Sequence, residues 1–573
     1  MAQSDRYFGV KREYNVPVPM RDGTVLRADV YRPDAPGEYP VLLCRTPYSK
    51  KLDGSVEMGE GHAANGYITV VQDVRGRYES DGAFRPGFYR ADVNDAEDGY
   101  DTVEWAARLP GSTGRVGTFG NSYAGWTQWA LAPTRPPSLT TMYASGIAAN
   151  LLDRELSAVL RLGRVLWWSV NTLAPDARRR AGRTDGPLTV DDAQLIWEEQ
   201  DRSKWLWYLP LLDLPDDVLS DIAPHFRYWL EDHTLDHFGF LEQHQQVNVP
   251  VLSVTGWYDQ QIGTIKQFTG MSANGMTPHA RANQKLIVGP WTHTAVDLHR
   301  SVGSVDFGPA AVRDYFAIAD AWYRAWLKDD PSGIADWPPI QLFVMGANTW
   351  RGENEWPLAR TQYTDFFLHS GGDANTPAGD GVLSRDPPTA EPPDRFTYDP
   401  RDPVMTLYSG PGQQEPHDQS ALAHRRDILT YATPPLEKPL EVTGPITVQL
   451  WAASSARDTD FVVKLIDVWL DGFAQELCHG IVRARYRESY SEPTLIEPDA
   501  VYQYTIQMNP TSNCFKAGHR IRLDISSSDF PNFDRNHNTG RDDYADATLV
   551  TARQTVFHDQ ARPSHVTLPV IPR

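Results

Sequence analysis

Short apolar runs alternating with helix-period segments constrain this chain more than any other feature. Val41 to Cys44 and Tyr67 to Gln72 are strand-length and apolar, as strands buried on both faces are. From Asp92 to Leu109 the spacing of Ala96, Tyr100, Val103, Trp105 and Ala107 predicts a helix, stopped by Pro110-Gly111. Gly117-Thr118-Phe119-Gly120 then leads into Asn121-Ser122 and another helical run. The texture returns at Val249-Pro250-Val251-Leu252-Ser253-Val254 and at Lys285-Leu286-Ile287-Val288. Strands alternating with helices imply a mostly parallel α/β sheet. Ahead of it, Tyr14 to Tyr31 reads as a hairpin turning at Asp22-Gly23.

Texture divides the chain into four stretches. Residues 1–150 and 246–355 form two halves of the α/β part. Residues 151–245 carry long helical patterns, Leu151 to Val170 and Val190 to Tyr208, and hold Trp167, Trp168, Trp197, Trp205, Trp207 and Trp229. A helical insert of this kind reads as a cap. Residues 356–573 show short alternating strands, such as Thr447 to Trp451, Phe461 to Trp469 and Tyr502 to Met508, predicting a sandwich or jelly roll. Pro/Gly/Asp-rich 370–403 reads as a linker.

With 573 residues there is length for a large core. A net charge of −20 makes nucleic acid and anionic lipid poor partners. Cys44, Cys478 and Cys514 are too few and too scattered for a disulfide framework or a zinc site. The opening Met-Ala-Gln-Ser-Asp-Arg lacks the pattern of a secretory signal, and no stretch approaches a membrane span, so a cytoplasmic location is expected.

The strongest chemical signal is Gly120-Asn121-Ser122-Tyr123-Ala124-Gly125. It joins a strand to a helix, the setting of a nucleophile elbow, whose tight turn demands small residues two before and two after the nucleophile. Gly120 and Ala124 meet that demand. A structural N-cap serine is the bland alternative. A serine hydroxyl needs a base and an acid to orient that base. Asp259 follows one buried strand in Gly256-Trp257-Tyr258-Asp259, and His293 follows the next in Gly289-Pro290-Trp291-Thr292-His293. Residue types and order match a Ser-Asp-His triad. Asp297 and His299 lie further from the strand end, and His62 precedes the nucleophile. The backbone N–H of Tyr123 follows from the elbow as an oxyanion donor. Tyr48, in Arg45-Thr46-Pro47-Tyr48, offers its phenol as a second donor or is a packed loop tyrosine.

These blocks resemble the bacterial cocaine esterase and X-prolyl dipeptidyl peptidase family of serine hydrolases. So do Gln72-Asp73-Val74-Arg75-Gly76-Arg77, Asp399-Pro400-Arg401-Asp402-Pro403, Asp458-Thr459-Asp460-Phe461 and Gly518-His519-Arg520-Ile521-Arg522-Leu523. The resemblance implies an α/β-hydrolase core, an inserted helical cap and a C-terminal jelly roll. It implies Ser122 as nucleophile, His293 as base then acid, Asp259 as its orienting acid, and Tyr48 beside the Tyr123 amide as oxyanion donors. Asp73 and Arg75 read as structural. Water completes the cycle, with no metal or cofactor. The pocket then falls where core, cap and jelly roll meet, with Trp167, Trp168, Leu407 and Tyr408 as candidate walls. Gln261 places a polar group near Asp259, which argues against simply carrying over an aromatic-ester preference. The resemblance also admits a homodimer.

A small-molecule carboxylic ester is the leading substrate. An X-prolyl dipeptidyl peptidase and an α-amino-acid ester hydrolase or acyltransferase are the alternatives, and both need inward carboxylates for a free α-amine. The cap acids Asp191, Asp192, Glu198, Glu199, Asp216, Asp217, Glu231 and Asp232 are spaced like a solvated face. The chain also lacks the large N-terminal extension of many X-prolyl peptidases, which favours an esterase. A non-enzymatic carbohydrate-binding protein is a further alternative, opposed by the ordered Ser122, Asp259 and His293.

Overall fold

A computed structural model describes residues 7–86, 95–147, 159–231, 243–259, 263–293, 298–375, 378–407 and 415–572. The first half folds around a ten-stranded sheet. Its early strands are β1 (Val10–Pro19), β2 (Val25–Pro33), β3 (Tyr39–Thr46), β4 (Ile68–Asp73), β5 (Ser112–Asn121) and β6 (Leu139–Ser145). Then come β7 (Val251–Gly256) and β8 (Lys285–Gly289), a two-residue hairpin of β9 (Ser301–Val302) and β10 (Val305–Asp306), and β11 (Ile340–Val344) and β12 (Thr349–Glu353). The order is β1-β2-β4-β3-β5-β6-β7-β8-β11-β12. From β4 to β11 every neighbour is parallel.

Alternation inside the apolar runs explains why these strands are central. Val41 and Leu43 of β3 pack into one hydrophobic cluster, while Leu42 and Cys44 pack into another on the opposite face. The helices α1 (Asp53–Ala64) and α11 (Tyr315–Leu327) cover the second face, while α2 (Asp95–Ala107) and α3 (Tyr123–Leu131) cover the first. Because the strands are parallel, their carboxyl ends meet at one edge, and the neighbours of β3 diverge there into β4 and β5. Such a switch point is where open α/β sheets place ligands.

Between β6 and β7 the chain is helical: α4 (Leu162–Trp168), α5 (Ala174–Arg180), α6 (Val190–Leu195), α7 (Asp216–Leu219) and α8 (Ala223–Glu231). After β7 come α9 (Gly263–Asn274) and α10 (Pro278–Ala282). The helix predicted over Val190 to Tyr208 is broken. A π turn follows α6, Arg202 and Ser203 take left-handed conformations, and the Trp205 indole donates to Asp201 at 2.6 Å.

The C-terminal strands are β13 (Gln362–His369), β14 (Val382–Ser384), β15 (Asp394–Tyr398), β16 (Leu429–Ala432), β17 (Leu440–Ser454) and β18 (Asp460–Val468). They continue with β19 (Ala474–Arg483), β20 (Tyr502–Phe515), β21 (Arg520–Ser526), β22 (Ala552–Phe557) and β23 (His565–Ile571). All eleven share one sheet, and a β17–β23 pairing closes it into a barrel. The 370–403 stretch is therefore not a linker, because it holds β14 and β15. Its Asp394 carboxylate accepts from Ser370, Ala374, Tyr431 and His558, which ties the polar run into the barrel. Among the described residues no helix is long and apolar enough to cross a membrane.

His62 lies in this core, wholly buried among Tyr67, Phe119, Tyr315, Phe316 and Tyr323, with its Nε2 3.2 Å from the Tyr315 hydroxyl. Burial pushes its pKa down from 6.5 to about 3. Between those values the unfolded chain takes up a proton that folded His62 refuses, so stability is lost as pH falls. His62→Phe should flatten the decline of Tm between pH 6.5 and 4. An unaltered slope would refute this.

Candidate active site

The carboxyl ends of three strands of the parallel run, β5, β7 and β8, carry the predicted triad residues. Asn121 ends β5, and Ser122 follows at φ 58°, ψ −125°, a conformation disfavoured for a side chain. Two backbone bonds hold it there: Ser122 N–H donates to the Ser145 carbonyl at 3.0 Å, and Trp126 N–H to the Ser122 carbonyl at 2.8 Å. At Gly120 a Cβ would lie 2.6 Å from the Ala124 Cβ, so only glycine fits that side of the turn. The N-cap alternative fails locally, since the Ser122 side chain makes no capping hydrogen bond.

Asp259 lies three residues beyond β7 and His293 four beyond β8. Their Oδ1 and Nδ1 are 3.1 Å apart. The carboxylate is buried and its second oxygen accepts from Thr255 at 3.2 Å, while the imidazole is one-fifth exposed. Two aromatic neighbours lock the acid's loop. The Trp257 indole donates to the Phe343 carbonyl at 2.7 Å. The Tyr258 hydroxyl donates to the Glu476 carbonyl at 3.2 Å and accepts from Gln475 at 2.9 Å, both on β19. The barrel thus helps place Asp259.

Tyr48 follows β3 across the switch point from Ser122. Its hydroxyl interacts with the Ser122 side chain, the Trp168 indole and the Tyr123 backbone. Burial raises its pKa, while those contacts and the charge of Arg164 oppose the rise. Arg77 secures this loop, donating to the Pro47 carbonyl at 3.0 Å and to the Leu173 carbonyl between α4 and α5 at 3.0 Å. Tyr123 is held from behind: its hydroxyl donates to Asp95 at 3.3 Å, and Arg45 donates to the same carboxylate at 3.1 Å. Asp73 accepts from the Lys50 N–H at 2.8 Å, and Arg75 forms a two-pronged pair with Asp98, which gives both a supporting role.

Trp168 stacks on Trp229 at 6.0 Å and lies 6.3 Å from the Tyr123 ring, so it faces the serine. Trp167 is half-buried beside it. Leu407 is also half-buried, and the preceding Thr406 donates its N–H to the Phe530 carbonyl at 2.7 Å. Gln261, Tyr408 and the rival Asp297 lie outside the described residues, and His299 is exposed. A cavity of about 380 Å3 opens between Phe84, Arg85, Arg180, Asp221 and His225, and Ser122, Asp259 and His293 are not among its lining residues.

One residue that sequence reasoning missed is Gly146, immediately after β6. It has a left-handed φ of 55°, and its N–H donates to the Val254 carbonyl at 3.2 Å. A Cβ there would lie 2.3 Å from Asn121 Oδ1, 3.0 Å from Asp259 Oδ2 and 3.1 Å from His293 Cε1. Its single hydrogen lets the acid and imidazole close over the strand ends. We expect Gly146→Ala to slow fluorophosphonate labelling of Ser122 by about 10- to 100-fold, since small misplacements of reacting groups are costly. Adding Asn121→Gly removes the closest obstruction and should restore part of the rate. Wild-type labelling by Gly146→Ala would refute this role.

Residues 22–295 match the model of X-Pro dipeptidyl-peptidase (S15 family), and residues 332–567 match the X-Pro dipeptidyl-peptidase C-terminal non-catalytic domain. The chain is 37% identical to cocaine esterase of a Rhodococcus species over 98% of both chains. Among solved structures it resembles an aminopeptidase from a marine-sediment thaumarchaeon, at 26% identity and TM-score 0.78. It shares the fold of an α-amino acid ester hydrolase at 24% identity and TM-score 0.80. Each alignment covers 100% of this chain and 98% of the other. With an α/β-hydrolase fold followed by a β-rich domain, the chain belongs to the cocaine esterase and S15 X-Pro dipeptidyl-peptidase family of serine hydrolases.

Proposed function

We propose that the protein is a serine esterase that cleaves carboxylic esters through an acyl-enzyme. His293 takes the Ser122 proton as Oγ attacks the ester carbonyl. The carbonyl π electrons move to oxygen, and that oxyanion accepts hydrogen bonds from the Tyr48 hydroxyl and the Tyr123 N–H. Collapse expels the alkoxide, which receives its proton from His293. Water then repeats the sequence, releasing the acid and free Ser122. Asp259 orients the imidazole and stabilises its charged form. The observation that carries this reading is the meeting of the Tyr48 hydroxyl with both Ser122 and Tyr123. The reading includes the division at residues 150, 245 and 355, with a jelly-roll arrangement of the last part.

The cap's charges favour an ester over an α-amine substrate. Asp191, Asp192, Glu198, Glu199, Asp216, Asp217 and Glu231 are exposed. Asp217 pairs with Arg183 and Asp216 with Arg227. Asp176 is buried, but Arg77 at 3.4 Å and Arg179 at 2.6 Å already neutralise it. Asp232 lies outside the described residues.

Ser122→Ala should abolish both p-nitrophenyl butyrate turnover and fluorophosphonate labelling while leaving the circular dichroism unchanged. Full labelling of that variant would remove Ser122 from its role. Tyr48→Phe should lower kcat by about 10²- to 10³-fold, the loss typical of one oxyanion donor. A normal kcat would make Tyr48 a packing residue. Protonated imidazole cannot accept the serine proton, so the rate should fall as the pH is lowered below neutrality. A flat profile there would exclude a histidine base. Faster turnover of Ala-Pro-p-nitroanilide than of butyryl and benzoyl esters would favour the peptidase reading instead.

A further inference from the structure

Arg164 stands on α4 one turn before Trp167 and Trp168, so the three side chains share a helical face. Trp168 tells where that face points, because its indole interacts with Tyr48 and its ring lies beside Tyr123. The start of α4 is pinned to the barrel. Gly163 N–H donates to the Pro531 carbonyl at 2.7 Å, and Arg161 reaches Asn532 Oδ1 at 3.1 Å while lying over Phe533. Arg161, which precedes the helix at a non-helical ψ of 74°, turns to the barrel, whereas Arg164 lies within α4 on the face that carries Trp168. Arg164 is half-buried, and its positive charge is felt at the Tyr48 hydroxyl.

A guanidinium among aromatic rings is a demanding neighbour for a neutral acyl chain, but a fitting one for a carboxylate. Its planar fork carries five N–H donors, so it can keep a protein partner and still present donors to a ligand. The charge pattern around it has the same sign. Arg85 and Arg180 line the neighbouring cavity against one acid, Asp221, and the Arg180 guanidinium is bonded to the neutral Tyr78, Ser80 and Gly82 carbonyls. On a chain of net charge −20, the lining of that cavity is locally cationic.

We propose that Arg164 is a specificity-determining residue that receives a carboxylate carried by the ester, so that the preferred substrates are anionic esters such as half-esters of dicarboxylic acids. The proposal rests on the serine-esterase reading of the same site. The ester C–O bond still breaks at Ser122, and the substrate's carboxylate takes no part in the bond changes.

The test compares kcat/KM for matched p-nitrophenyl esters, hemiglutarate against its neutral methyl diester. A second arm places the carboxylate on the alcohol side, as the butyryl ester of 4-hydroxybenzoate against that of its methyl ester. In at least one arm the anionic ester should be favoured by about tenfold or more, mainly through KM, as a charge-assisted fork predicts. Arg164→Gln should bring that ratio to near one, Arg164→Lys should restore part of it, and Arg164→Glu should drive it below one. Should a variant fail to fold, the wild-type ratio and the inhibition of neutral-ester turnover by glutarate relative to glutaramide still decide. Ratios near one in both arms, or a preference that survives Arg164→Gln, overturn the proposal while leaving the esterase reading intact. Absence of all ester turnover together with absence of Ser122 labelling would fail that reading, and this proposal with it.

Discussion

The backbone at Ser122 is held in a conformation that costs about 1–3 kcal/mol and persists only where its surroundings over-determine it. Parallel strands provide that surrounding. Ser122 hangs from the end of β6 through the Ser145 carbonyl, α3 begins at once beneath it, and the Gln128 side chain donates to the Gly120 carbonyl at 3.3 Å. Once the turn is fixed, the Tyr123 N–H necessarily emerges beside Ser122. Asp95 and Arg45 then hold the Tyr123 ring from behind, in a buried set of charged contacts.

The remaining groups come from parts of the chain that share no local structure with the elbow. Tyr48 depends on Arg77, which bridges its loop to the carbonyls between α4 and α5. Asp259 depends on Trp257 and Tyr258, and Tyr258 is in turn gripped by β19. Cap and barrel are also joined directly: Leu212 N–H donates to the Tyr544 carbonyl at 3.0 Å, and Trp207 packs on Phe530 at 4.5 Å. The proposed site is thus a junction. Loss of the barrel would loosen the acid, and loss of the cap would remove Trp168 from the Tyr48 hydroxyl.

Much of this was legible in the residues. Apolar runs such as Val41 to Cys44 announce strands buried on both faces, because each face packs into its own hydrophobic cluster. Ser122, Asp259 and His293 stand out because their types, order and strand-end positions coincide. Gly146 does not stand out, since its importance comes from three side chains that converge on it from other strands. Arg164 was hidden ahead of the more conspicuous Trp167 and Trp168, and only the packing of α4 separates it from Arg161, which turns to the barrel. The 370–403 stretch misled because its composition suits a linker, whereas Asp394 and its partners turn the polar residues into barrel contacts. Over Val190 to Tyr208 the periodicity was helical, but local side-chain bonding and left-handed residues broke it.

The most direct measurement is a crystal structure of the chain inhibited by an alkyl phosphonate. The proposed site predicts a covalent bond from Ser122 Oγ to phosphorus. It also predicts one phosphonyl oxygen within about 2.7–3.1 Å of both the Tyr48 hydroxyl and the Tyr123 nitrogen. An adduct on another residue, or a phosphonyl oxygen turned away from Tyr48 and Tyr123, would contradict it.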